Sequence, residues 1–249
     1  MNAAQLDEPL SPGLAQFTTT HWSVVLAAQE SGSEQAEAAL AKLCDGYWYP
    51  LYAFVRRRGF NPHDAEDLTQ EFFYRLLDRN YLKAVDYRKG RFRTFLLMAL
   101  ERFLAKEWRR VRAQKRGGDI TLISIEQQDA EHRYSLEPAT GLSPEKLYEQ
   151  NCALALLEKA LQRLRSEFEA DGKGEKFERL KPFLTSDGTR SSYAELALQM
   201  NSSEAALKMA VSRMRARYGA LLREEVANTI SPEGDVQDEI QALLFSLSY

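Results

Sequence analysis

The chain has 249 residues, 44% hydrophobic and 28% charged, which suits one large or two small packed domains and leaves no apolar run long enough to span a bilayer. Its net charge of −3 excludes a general polyanion binder, yet the charge is uneven: Lys83 to Arg116 holds twelve Lys or Arg against three acids, leaving the remainder near −12. Cys44 and Cys152 lie far apart within apolar helical patterns, and His21, His63 and His132 share no ligand spacing with them, so no disulfide framework, zinc site or cofactor is expected.

Residues 1–17 contain Pro9, Pro12 and Gly13 with little periodicity and read as a mobile arm; without a basic start and apolar core they form no signal peptide, so the cytoplasm is the expected location. Threonine caps from Thr18 precede Trp22, Val25 and Leu26, which predicts a short helix broken at Ser31-Gly32-Ser33. A long helix is predicted from Glu34 to Arg58, its core face carrying Leu40, Leu43, Tyr47, Leu51, Phe54 and Val55, with Pro50 expected to bend or split it. The next helix has Asn61 as cap, Pro62 at the first position and an apolar side of Ala65, Leu68, Phe72, Leu76 and Leu77. Asp64, Asp67 and Glu71 fall on one face with Glu66 and Gln70 alongside; the helix dipole accounts for acids in the first turn but not for Gln70 and Glu71.

A third helix is predicted within Arg88 to Gly118. Phe92, Phe95, Leu96, Ala99, Phe103 and Leu104 form a core stripe that stops at Leu104, after which the helix is expected to leave its core as a basic rod. Arg102, Lys106 and Arg109 share one stripe, Arg110 follows, and Phe92, Phe95 and Trp108 offer flat surfaces for an unstacked base. Residues 119–144 are acidic and rich in turn formers, and read as a linker. Beyond it Leu147, Leu154, Leu157, Leu161 and Leu164 mark a helix ending near Gly172, and a further helix over Glu175 to Leu184 is broken near Pro182. Ser192 and Glu195 form a capping box, Asn201-Ser202 a tight turn, and Ser203 caps a helix to about Glu225. That last helix carries Lys208, Ser212 and Arg215 outward, with Arg213 and Arg217 beside them, the arrangement of a helix-turn-helix DNA reader. The tail from Ser231 ends in helix-spaced Ile240, Leu243, Leu244 and Leu247, which predicts docking.

These parts, in this order, resemble bacterial RNA polymerase sigma factors of the extracytoplasmic-function (ECF) group. Asp64 to Phe73 resembles the family's polymerase-binding motif, Phe92 to Arg110 its promoter-melting helix, and Ser192 to Arg217 its upstream reader, in register over about residues 35 to 226. The resemblance implies an all-α fold of two small helical domains, a sigma region 2 bundle (18–118) and a sigma region 4 helix-turn-helix (145–230), joined by an acidic flexible linker (119–144); the amphipathic tail (231–249) is extra to the family's pattern. It implies a non-enzymatic protein whose partners are core RNA polymerase and promoter DNA, with no membrane contact, and it allows an anti-sigma factor. Asp64, Glu66, Asp67, Gln70 and Glu71 would meet the clamp helices of the largest polymerase subunit, and the second domain its flap. Phe92, Arg93, Thr94 and Phe95 would hold flipped bases of the −10 element while Arg102, Lys106, Arg109 and Arg110 bind backbone; Ser203, Glu204, Lys208, Ser212 and Arg213 would serve the −35 element. Two readings compete: a stand-alone helix-turn-helix regulator, which leaves the acidic helix unexplained, and a carboxylate-metal nuclease, which lacks a ligand constellation.

Overall fold

The computed structural model describes residues 34–76, 91–114, 125–137, 141–185, 193–231 and 233–248, with backbone alone at 34–45, 108–114, 125–129 and 185. The expected arm, the helix at Thr18 and the capping residue Ser192 lie outside those residues. All regular structure among them is helical, as the periodicity requires.

Helix α1, Glu34–Arg57, runs through Pro50 without a break. The expected split is absent because the residues from Tyr47 to Val55 are all buried apart from half-buried Trp48. That packing offsets the roughly 3 kcal/mol an internal proline costs. Gly59 closes the helix at φ 91°, its N–H bonded to the Arg56 carbonyl at 3.0 Å, a conformation a side chain would strain. Helix α2, Pro62–Leu76, starts where the sequence signals it: Asn61 Oδ1 accepts from the Asp64 N–H at 2.9 Å. Helix α3, Phe92–Gln114, lays Leu96, Leu100 and Phe103 on the same core, where Phe103 packs on Phe72.

The expected linker contains a helix, α4, Ile125–Leu136. Two acids of the expected linker, Glu131 in α4 and Glu137 just after it, are paired with the end of α1. Glu131 accepts from Arg56 at 2.8 and 2.9 Å and from the Tyr52 hydroxyl at 2.6 Å. Glu137 accepts from Tyr49, Arg57 and Asn151, and the Arg133 guanidinium lies 3.9 Å over the Tyr49 ring. Such pairings span some eighty residues of sequence, beyond the reach of any local pattern.

Helix α5, Pro144–Ala170, capped by Ser143, opens the expected second domain and contributes to two cores. Its first half puts Tyr148 and Cys152 into the core of α1 and α3, and its second half puts Ala160 and Leu164 into another core. That second core is completed by α6 (Gly174–Leu180), α7 (Pro182–Thr185), α8 (Tyr193–Gln199) and α9 (Glu204–Ala227). The tail forms α10, Val236–Ser246, which docks on α5 and α9 through Leu243, against Ala153, Leu156 and Val226.

The Glu131 carboxyl is held below the usual carboxylate range, first by the Arg56 hydrogen bond and then by Tyr52 against the cost of burial. A carboxylate with a depressed folded pKa contributes stability above its unfolded pKa of about 4.3 that is lost as pH falls through the folded value. Glu131→Gln is therefore expected to lower stability by about 1–2 kcal/mol at neutral pH and by progressively less below pH about 4. Urea unfolding across that range checks it; a deficit that stays constant with pH would contradict the assignment.

Candidate polymerase- and nucleic-acid-binding surfaces

Helix α2 presents its acidic face to solvent because the apolar stripe of Ala65, Phe72 and Leu76 faces the core. Asp64, Asp67 and Gln70 are exposed, Glu71 is half-exposed, and Asp67 pairs with His63 at 3.1 Å. Glu66 departs from the expected set. It is buried, and its carboxylate accepts from Gln70 Nε2 at 3.2 Å, so it holds a surface residue in place.

Helix α3 is divided along its length. Arg102 and Lys106 are exposed on one stripe as expected, Thr94 is exposed and Phe95 half-buried; Arg109 and Arg110 are helical, their side chains outside the description. The core contact does not end at Leu104. Glu107 is buried one turn later, where it bonds Arg75 of α2 at 2.7 Å, and Arg75 also bonds Glu71 and covers the Phe103 ring. A charge on the apolar stripe thus continues the contact as an ion pair.

The beginning of α3 is covered. Phe92 is fully buried, edge-on to Tyr47, and its N–H donates to the Thr229 carbonyl at 3.1 Å. Arg93 is only 3% exposed and is ion-paired with Glu149 of α5 and Glu239 of α10, while the hydroxyl of Tyr148 donates to its carbonyl. Neither Phe92 nor Arg93 stands on the surface for a flipped base. The sequence reading missed Glu149, Glu239 and Thr229, which lie 56 to 146 residues from Arg93 or Phe92. One signal existed: Glu239 occupies the stripe of Val236, Ile240 and Leu243, where a solvated charge would not belong.

In the helix-turn-helix, Leu196 and Ala197 of α8 meet Leu207, Val211 and Met214 of α9. The turn follows from three residues. Asn201 adopts φ 46°, which asparagine tolerates; the Ser202 N–H bonds the Ala197 carbonyl at 3.0 Å; and Ser203 Oγ caps α9 by accepting from the Ala206 N–H at 3.2 Å. Ser203, Glu204, Lys208, Ser212 and Arg213 are all exposed on the outer side, with Lys208 near Glu204 at 3.4 Å. The two other basic residues of the expected reading stripe are engaged internally. Arg215 donates to the Phe183 carbonyl at 2.6 and 3.1 Å, and Arg217 pairs with Glu167, whose carboxyl it holds below the usual range.

No helix among the described residues is long and apolar enough to cross a membrane. The protein family described as ECF sigma factor matches the chain over residues 25–224. Neither the curated proteins nor the solved structures contain a match.

Ser203→Ala is expected to destabilise the second core by about 1 kcal/mol, the usual loss for a helix cap. Thermal unfolding followed by circular dichroism checks it, and an unchanged midpoint would mean that the cap does not hold the turn.

Proposed function

Since the chain belongs to the ECF sigma factor family, whose members act with RNA polymerase in promoter-specific transcription initiation, we propose that its three surfaces divide that work. The α2 face of Asp64, Asp67, Gln70 and Glu71 docks on the clamp helices of the largest polymerase subunit. Glu66 positions Gln70 within it. Arg102 and Lys106, followed by Arg109 and Arg110, hold the backbone of the −10 element while Thr94 and Phe95 attend to its opened bases. The outer side of α9, with Ser203, Glu204, Lys208, Ser212 and Arg213, meets the −35 element, and the same domain meets the polymerase flap. The protein acts in the cytoplasm by binding and promoter opening, without catalysis of its own, and is open to control by an anti-sigma factor.

The observation that carries this reading is the segregation of charge across one small core. An exposed acidic face on α2 and an exposed basic stripe on α3 suit a protein partner and a nucleic acid bound at the same time. A stand-alone DNA-binding regulator would need the basic stripe and the helix-turn-helix but would have no use for the acidic face.

Asp67→Lys is expected to weaken capture of purified core polymerase about tenfold or more, because like charges set against each other in an interface cost several kcal/mol. Failure of the wild type to bind core would sink the proposal. With holoenzyme formed, Arg102→Ala and Lys106→Ala should each reduce the salt dependence of promoter binding by about 0.7 in the log–log slope, the value for a single-strand phosphate. Lys208→Ala should reduce it by about 0.9 through the duplex contact, and should do so only on templates that include the upstream element.

A further inference from the structure

Arg91 and Arg93 flank the first residue of α3, at the end where a helix favours negative charge. Both reach the same carboxylate. Arg91 Nε lies 2.5 Å from Glu239 Oε2, and Arg93, itself buried, pairs with Glu239 and with Glu149. Glu239 is 2% exposed, and the adjoining α3 N–H of Phe92 is taken by the Thr229 carbonyl. Two guanidiniums, a helix N-terminus and a two-oxygen anion are the elements of a phosphate site, here filled by the chain's own carboxylate.

We propose that Thr229 and helix α10 form a latch on the start of α3, with Glu239 standing where a nucleic-acid phosphate binds, and that the latch is released when the chain joins polymerase and promoter. The proposal rests on the reading of α3 as the −10 helix, and it adds that part of this helix is withheld in the free protein. Helix α10 is built for the role. Asp235 caps it through the N–H groups of Gln237 and Asp238, and Leu243 seats it on α5 and α9. Its grip on α3 is electrostatic. A buried ion pair roughly breaks even against solvation, unlike an apolar contact of the same size, so a competing phosphate has little net stability to overcome.

The test uses the full chain and a fluorescein-labelled single-stranded oligonucleotide of mixed sequence, with affinity read by anisotropy at fixed salt. Glu239→Gln is expected to bind it about fivefold more tightly or better, the low end of ordinary coupling between sites. Glu233→Gln, which makes the same change of net charge at the exposed turn before α10, should bind as the wild type does. In wild type, hydrogen exchange over residues 233–248 should quicken when core polymerase and promoter are added. This second measurement decides the matter should Glu239→Gln fail to fold. Equal affinity of folded Glu239→Gln and wild type, or undiminished protection of α10 in a holoenzyme that initiates, would overturn the latch. A wild type that does not bind core would refute the sigma reading instead, leaving the latch to be judged on the single strand alone.

Discussion

The placement of every functional surface depends on α5 belonging to both cores. At 1.5 Å per residue its 27 residues form a rod about 40 Å long. Tyr148 and Cys152 anchor one end under α1 and α3, and Ala160 and Leu164 anchor the other under α8 and α9. Both groups are almost wholly buried, and the Tyr148 hydroxyl is further tied to the Arg93 carbonyl. The distance and orientation between the α2–α3 surfaces and the helix-turn-helix are therefore set by one continuous helix. The end of α9 reinforces the seat: Glu225 is buried yet its carboxyl lies below the usual range, because Lys159 and Arg163 of α5 outweigh the cost of its burial.

Charge follows the same logic. The acids outside the basic segment give the chain its overall negative charge, but many are internal counter-ions. Glu131 and Glu137 neutralise the arginines at the end of α1, Glu149 and Glu239 those at the start of α3, Glu107 that of α2, and Glu167 the Arg217 of α9. Among the described residues of the proposed nucleic-acid surfaces, Arg102, Lys106 and Arg213 are exposed without a carboxylate partner. The arginines that look most basic in the sequence are thus largely spoken for, and nucleic acid is left with a narrower and more specific set of cations.

Much of this was legible in the sequence because its signals are local. Asn61 and Pro62 start α2, Gly172 at φ 69° ends α5, and Asn201 with Ser203 turns α8 into α9, each through a backbone requirement that one or two residues meet. The outward positions of Asp64, Asp67, Arg102 and Lys208 follow directly from helical periodicity. What was not legible depends on partners distant in the chain. Tertiary burial overrides Pro50, the α1 arginines turn an acidic stretch into α4, and the Phe183 carbonyl draws Arg215 away from the reading face.

One local rule recovers part of what was missed. Glu66, Glu107, Glu225 and Glu239 each sit on or beside an apolar helical stripe, and all four are buried. Glu107, Glu225 and Glu239 are paired with arginine or lysine on another helix. An acid at such a position requires a partner, and its location predicts an inter-helix ion pair even when the partner is unknown. The four serve different ends. Glu107 and Glu225 fasten helices whose apolar contacts are already in place, and Glu66 orients a neighbour. Glu239 alone joins two elements that share little apolar contact, since Leu243 turns α10 toward α5 and α9 instead. Removing the charge at Glu107 or Glu225 loosens a core, whereas at Glu239 it uncovers a cationic helix start. That difference makes the same kind of residue structural in two places and a switch in a third.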